Sequence, residues 1–137
     1  MADLDRLKAA MNGSIRLSQL GQNQEALKLL DDTIAEAIQE GRNSWMLTLS
    51  RHAAVLCSHR GDLNLAKHYY EQALAYNPEN SSALYGLACV SLQLGDTQSA
   101  KEFAKRSYEA ILRGDDDIVK AGLLDLIVKQ WPEITTR

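Results

Sequence analysis

The sequence predicts an all-α fold in which antiparallel helical pairs stack on one another. Three observations carry that expectation: a Gly-Asp pair followed by Ala-Lys recurs after 34 residues, apolar residues recur every three or four positions between the glycines, and no stretch alternates as a strand would. Gly61-Asp62 with Ala66-Lys67 is matched by Gly95-Asp96 with Ala100-Lys101, and a weaker copy opens at Gly21, 40 residues before Gly61. Length and composition narrow the class further. The 137 residues suit one domain, and 45% hydrophobic with 24% charged residues excludes wholesale disorder. No apolar run approaches the ~18 residues of a membrane span. Asp3, Asp5, Arg6, Lys8 and Arg16 interrupt the first twenty residues, so no secretory leader is expected and the cytoplasm is the expected compartment. Two cysteines make no disulfide framework, and a net charge of −3 offers no basic excess for nucleic acid or an anionic membrane.

The elements follow in chain order. A first helix starts near Leu7 and stops at Gly21; a second fills 23–39 and stops at Gly41. Trp45, Leu49, Ala53 and Leu56 recur at helical spacing, with Ser44 as the expected N-cap and Gly61 as the stop. Leu65, Tyr69, Leu74 and Tyr76 mark the next helix, which Asn77-Pro78 ends, because Pro78 cannot continue a helix and biases Asn77 toward extended backbone. Asn80 or Ser81 caps the following one, which runs to Gly95. Phe103, Ala104, Ile111 and Leu112 pattern the sixth, with Gly114 as its stop; Asp115, Asp116 and Asp117 then suit the positive end of a last helix reaching Gln130. Gly21, Gly41, Gly61, Gly95 and Gly114 are therefore expected at left-handed helix ends, and Gly13, Gly86 and Gly122, inside helices, at close helix contacts.

This succession resembles the tetratricopeptide repeat, a 34-residue helix–turn–helix unit. The resemblance implies one domain over 1–137, with repeats at approximately 7–40, 47–80 and 81–114 and a capping helix at approximately 116–130. The family's small positions fall on Ser14, Ala26 and Thr33, on Ala54, Ala66 and Ala73, and on Ala88, Ala100 and Ser107, all of them small residues. The early aromatic of the pattern is replaced by Ala10, Ser50 and Leu84, and six extra residues between the first two copies imply longer helices there.

A solenoid of such repeats lines a concave groove with its first helices, which implies a protein-interaction module that takes up a peptide or helix of a partner. In the family register the groove presents Lys8, Met11, Ile15, Ser18 and Gln19, then Thr48, Arg51, Val55, Ser58 and His59, then Ser82, Tyr85, Cys89, Leu92 and Gln93. Arg51 and Tyr85 hold equivalent positions on neighbouring helices, a guanidinium beside an aromatic face, and suit a partner with a carboxylate near an apolar anchor. A tetratricopeptide subclass that grips chaperone tails uses Lys and Asn where this chain has Met11 and Ile15, neither of which can bind a carboxylate.

The last helix is apolar on two sides, Val119, Leu123 and Leu126 on one and Leu124, Ile127, Val128 and Trp131 on the other. The expected alternative role is therefore structural, with Leu123, Leu124, Ile127 and Trp131 as contacts of a homodimer or larger assembly. No chemistry competes with these readings. His52 and His59 lie seven apart without a third ligand, and neither a His-Glu-x-x-His nor a Cys-x-x-Cys pattern occurs, so no metal or other cofactor is expected. No nucleophile elbow, phosphate loop or dinucleotide fingerprint is present, and the chain is not expected to be an enzyme.

Overall fold

A computed structural model describes residues 2–114 and 118–135; the acidic run Asp115–Asp117, expected to start the last helix, lies outside the described residues, as does the side chain of Val119. Seven helices follow one another, with no strand among the described residues: α1 (Ala2–Gln19), α2 (Asn23–Gln39), α3 (Asn43–His59), α4 (Leu63–Tyr76), α5 (Ser81–Gln93), α6 (Thr97–Arg113) and α7 (Ile118–Gln130), then a short 3-10 turn at Pro132–Thr135. The extra residues between the first two copies are spent as expected, α2 and α3 each having 17 residues against 14 in α4 and 13 in α5.

The glycine stops explain why the helices pair. Gly21, Gly41, Gly61 and Gly95 have φ between 68° and 87°, and the amide beyond each reaches back five residues, Gln22 to Leu17, Arg42 to Ala37, Asp62 to Cys57 and Asp96 to Ser91. This left-handed closure satisfies the last carbonyls and reverses the chain in two or three residues, so consecutive helices must lie antiparallel. Gly114 departs from the expectation: its φ is −90° and its ψ −172°, an extended exit that any residue adopts. Ser44 is not the cap of α3 either, since that helix begins at Asn43, two residues earlier than expected, with Arg42 at the cap position. Asn80 does cap α5, accepting the Ala83 amide at 2.9 Å, and Asp96 caps α6 through the Ser99 amide at 3.1 Å.

All nine small positions are buried, eight of them completely closed alanines or serines, and only Thr33 retains a trace of exposure. Helices that approach over alanine and serine gain close packing, and a longer side chain there would force them apart. Ser107 also donates to the Ser81 carbonyl at 2.8 Å, tying α6 to the start of α5. The interior falls into two clusters. One runs from Leu30 through Leu49 and Ala66 to Leu87; the other joins Ala88, Ala100, Ile111, Ile127 and Trp131, and Phe103 packs against both. Each helix thus depends on its sequence neighbours, the nearest-neighbour arrangement of an all-α tetratricopeptide-type solenoid.

The curvature follows from which helices meet. The backbones of α1 and α3, α3 and α5, and α5 and α7 approach one another, whereas those of α2, α4 and α6 do not. The odd-numbered helices therefore line the shorter, inner side of the stack. On the outer side a Tyr69 hydroxyl donates to Asp31 at 2.7 Å and bridges the wider gap between α4 and α2.

Candidate functional site

The inner wall is built from α1, α3 and α5, and its chemistry starts with what those helices lack. Beyond Asp5, α1 has no carboxylate; α3 and α5 have none at all, while α2 alone carries Glu25, Asp31, Asp32 and Glu36. A chain of net charge −3 thus places most of its acids on the outer helices and the turns. Several cations elsewhere are neutralised: Arg6 pairs with Glu36, Arg42 with Glu40 at 2.8 Å and Arg60 with Asp62 at 3.5 Å. Lys8, Arg16 and Arg51 have no ion-pair partner among the described residues, and the first two are exposed.

Of the groove positions, Ile15 is 40% exposed, Val55 44% and Leu92 36%, so three large apolar side chains stand in solvent along one wall. Ile15 and Val55 hold the same register position on neighbouring helices. His59 is exposed, while Met11 and Arg51 are half-buried. Met11 packs on the core, and its carbonyl accepts the Ser14 hydroxyl at 2.7 Å. That assignment leaves Ser14 Oγ to accept from His52 Nε2 at 3.2 Å, a bridge between α1 and α3 that nothing in the sequence pattern indicated. Burial holds the His52 imidazole below its ordinary pKa.

The expected pairing of Arg51 with Tyr85 is not what the structure builds. Tyr85 turns to the chain's own C-terminal end, its ring meeting Trp131 edge-on with centroids 6.4 Å apart. Burial, followed by a hydrogen bond to Cys89, pushes the Tyr85 hydroxyl up to about 12; burial likewise raises the Cys89 thiol. The third part of the groove is thus lined by Tyr85 and Cys89 but covered by Trp131. The aromatic that Arg51 influences is Tyr70, from the outer-face helix α4. Its pKa is raised by burial and drawn back by the Arg51 charge. Tyr70 reaches this depth because Gly86 lets it: a Cβ at Gly86 would lie 2.3 Å from Tyr70 Cζ. Tyr70 is only 7% exposed, yet its hydroxyl makes no hydrogen bond within the described chain. The signal that could have found it was a glycine inside a strongly apolar helix.

The α7 residues divide in the same way. Ile127 and Trp131 are interior, Leu123 and Leu124 pack half-buried against the same cluster, and the exposed apolar residues are Leu126 and Val128. Beside Trp131 a cleft of about 680 Å³ opens between α6 and the chain end, with Leu92, Lys101, Lys105 and Gln130 in its walls. Among the described residues no three His, Cys, Asp or Glu side chains converge as a metal site would need, and no helix is long and apolar enough to cross a membrane.

Residues 59–110 match the family model of the tetratricopeptide repeat. Cellulose synthase operon protein C of Pseudomonas fluorescens (strain SBW25) is 31% identical over 127 residues, an alignment that covers 90% of this chain and 10% of that protein. The chain therefore spans about a tenth of the length of that relative.

Proposed function

We propose that this chain, whose residues 59–110 match the tetratricopeptide repeat, binds a peptide or helix of a partner protein in its concave groove, such repeats being generally protein-interaction modules. The observation that carries the reading is the row of Ile15, Val55 and Leu92, apolar side chains left in water on the inner helices. Leaving a side chain of that size exposed forgoes ~1.5–3 kcal/mol each, a cost a bound partner recovers. Met11, Arg51 and His59 supply the flanking contacts. A peptide-display selection tests this: bound peptides should shift the amide resonances of α1 and α3 on their inner faces. Binders that perturb only α2, α4 or α6, or a selection that yields none, would remove the groove reading.

A second reading, assembly, is favoured by Leu126 and Val128, which remain exposed on α7. In it the helix carrying Leu123, Leu124 and Ile127 and the adjoining Trp131 supports a homodimer contact, and the relative's name points to machinery of a cellulose synthase operon. A monomeric mass by light scattering at high concentration, unchanged by Leu126→Glu, would exclude it.

A further inference from the structure

Every first helix of the stack but the last has a second helix packed against it. α1 and α2, α3 and α4, and α5 and α6 form pairs, whereas α7 is followed among the described residues only by the short turn Pro132–Thr135. One side of α7 is spoken for, since Ile127 and the adjoining Trp131 are buried against α5 and α6. The opposite side is bare: a Cβ at Gly122 would meet nothing within 4 Å, Leu126 is 51% and Val128 36% exposed, and Asp125 and Lys129 both stand in solvent. Neither Asp125 nor Lys129 has an ion-pair partner among the described residues. Successive helical residues turn by about 100°, so Asp125 and Lys129 lie within about 40° of each other at the centre of the bare side, with Leu126 and Val128 on its two flanks.

We propose that α7 docks on α7 of a second copy, antiparallel about a two-fold axis at the level of Ile127, so that each copy supplies the second helix of the other's fourth pair. The inference rests on the assembly reading above and names the partner and its register. Two observations select this occupant. In each pair of the stack the glycine turn sets the second helix antiparallel to the first, and a two-fold copy of α7 has that direction by symmetry. An axis at Ile127 also brings Asp125 of each copy level with Lys129 of the other, twice, while Leu126 and Val128 each meet their own counterparts on the flanks. A parallel pairing would instead set Asp125 on Asp125 and Lys129 on Lys129. An unrelated helix would need a carboxylate and an ammonium in the matching order, which a second copy has necessarily. The charge pairs fix the register and the aliphatic flanks supply the burial. Helices of 13 residues, about 20 Å long, make a contact at the small end of specific interfaces, so association belongs at about 10 μM to 1 mM.

Sedimentation equilibrium over that range, with circular dichroism melts to show that each variant folds, tests the pairing. The parent should approach a dimer mass and dissociate as salt is raised. Asp125→Lys and Lys129→Asp, which set like charges against each other, should each weaken association by about fivefold or more. The double variant, Asp125→Lys with Lys129→Asp, should recover it, and so should an equimolar mixture of the two single variants. A dimer lost on Leu126→Glu but indifferent to both charge reversals would overturn the two-fold pairing and leave the assembly reading standing. A monomer at every concentration would overturn both. A dimer untouched by Leu126→Glu and by both reversals would place the contact off α7 and overturn the proposal.

Discussion

Adding one methyl group at Gly86 should destabilise the protein, and adding one at Gly122 should stabilise it, although both glycines sit inside helices. At Gly86 the new Cβ would lie 2.3 Å from Tyr70 Cζ, 2.4 Å from Cε1 and 2.7 Å from the hydroxyl oxygen. Carbon atoms pack best at ~3.5–4.0 Å, so the ring must retreat by more than about 1 Å. It has little room, being buried between α3, α4 and α5. Leaving its rotamer costs ~0.5–1.5 kcal/mol, and overpacking of this kind costs ~1–3 kcal/mol in all. The gain in helix propensity returns ~1 kcal/mol. An approach as close as 2.3 Å belongs to the upper half of that range, so the net for Gly86→Ala is a loss of ~1–2 kcal/mol, about 3–6 °C in Tm for a domain of this size. Gly122 has nothing within 4 Å of its would-be Cβ, so there the propensity gain stands almost alone. Urea melts followed by circular dichroism measure both variants. A Gly86→Ala protein as stable as the parent would refute the clash. So would an equal loss in a Tyr70→Leu background, where removal of the ring should turn the same substitution stabilising.

Ser50 Oγ is buried without a partner, so Ser50→Ala should raise stability by ~0.5–1.5 kcal/mol in the same melts, the sum of a relieved polar group and a better helix former. His52 titrates below 6.5 in the folded chain, so the unfolded chain binds the proton first as pH falls; its contribution is complete above 6.5 and is lost as pH drops through 6.5 toward the folded value. Melts at pH 7.5 and 5.5 should therefore differ in the parent and much less in His52→Gln. Burial, with Asp62 beside it, pushes the Cys57 thiol up to about 11, so Ellman's reagent at pH 8 should label Cys57 in the native chain only at the rate of opening, and immediately in urea.

The periodicity of glycine and small residues was enough to read the helices, their order and the nine close contacts, because those features depend on backbone conformation and on side-chain volume, which a sequence states directly. It was enough to place Ile15, Val55 and Leu92 on one wall for the same reason. What it could not give was the partner of each long side chain. Tyr70 and Tyr85 are both aromatic residues at helical spacing, and which of them meets Arg51 depends on a gap at Gly86 and on a Trp131 that folds back from beyond the last repeat. Gly86 and Gly122 look alike in a helical pattern; only the neighbouring helix distinguishes a contact from open space. On α7 the pattern marked two apolar sides without saying which the third repeat would cover; Ile127 is interior, and Leu126 and Val128 are exposed.

In the groove reading proposed above, Trp131 sets how much of the inner wall a partner could use. Inner helices packed ~8–10 Å apart give α1, α3 and α5 a wall about 20 Å wide, enough for about six residues of extended chain or about thirteen of helix. The Trp131 ring on Tyr85 closes the last third of that wall, and Trp131 is itself only 5% exposed. Trp131→Ala removes the edge-on pair and the anchor of α7, a loss of ~3–5 kcal/mol confined by the nearest-neighbour character of the stack to α6, α7 and the closing turn. Hydrogen exchange should accordingly rise in 118–135 and stay unchanged in α1–α4. Peptide binding at Arg51 and Val55 should survive, and a peptide long enough to reach Tyr85 should bind more tightly than in the parent, because its aromatic contact is no longer taken. Loss of binding with α1–α4 still protected would reverse the assignment, making Trp131 a wall of the partner's site instead of the side chain that stands in for it.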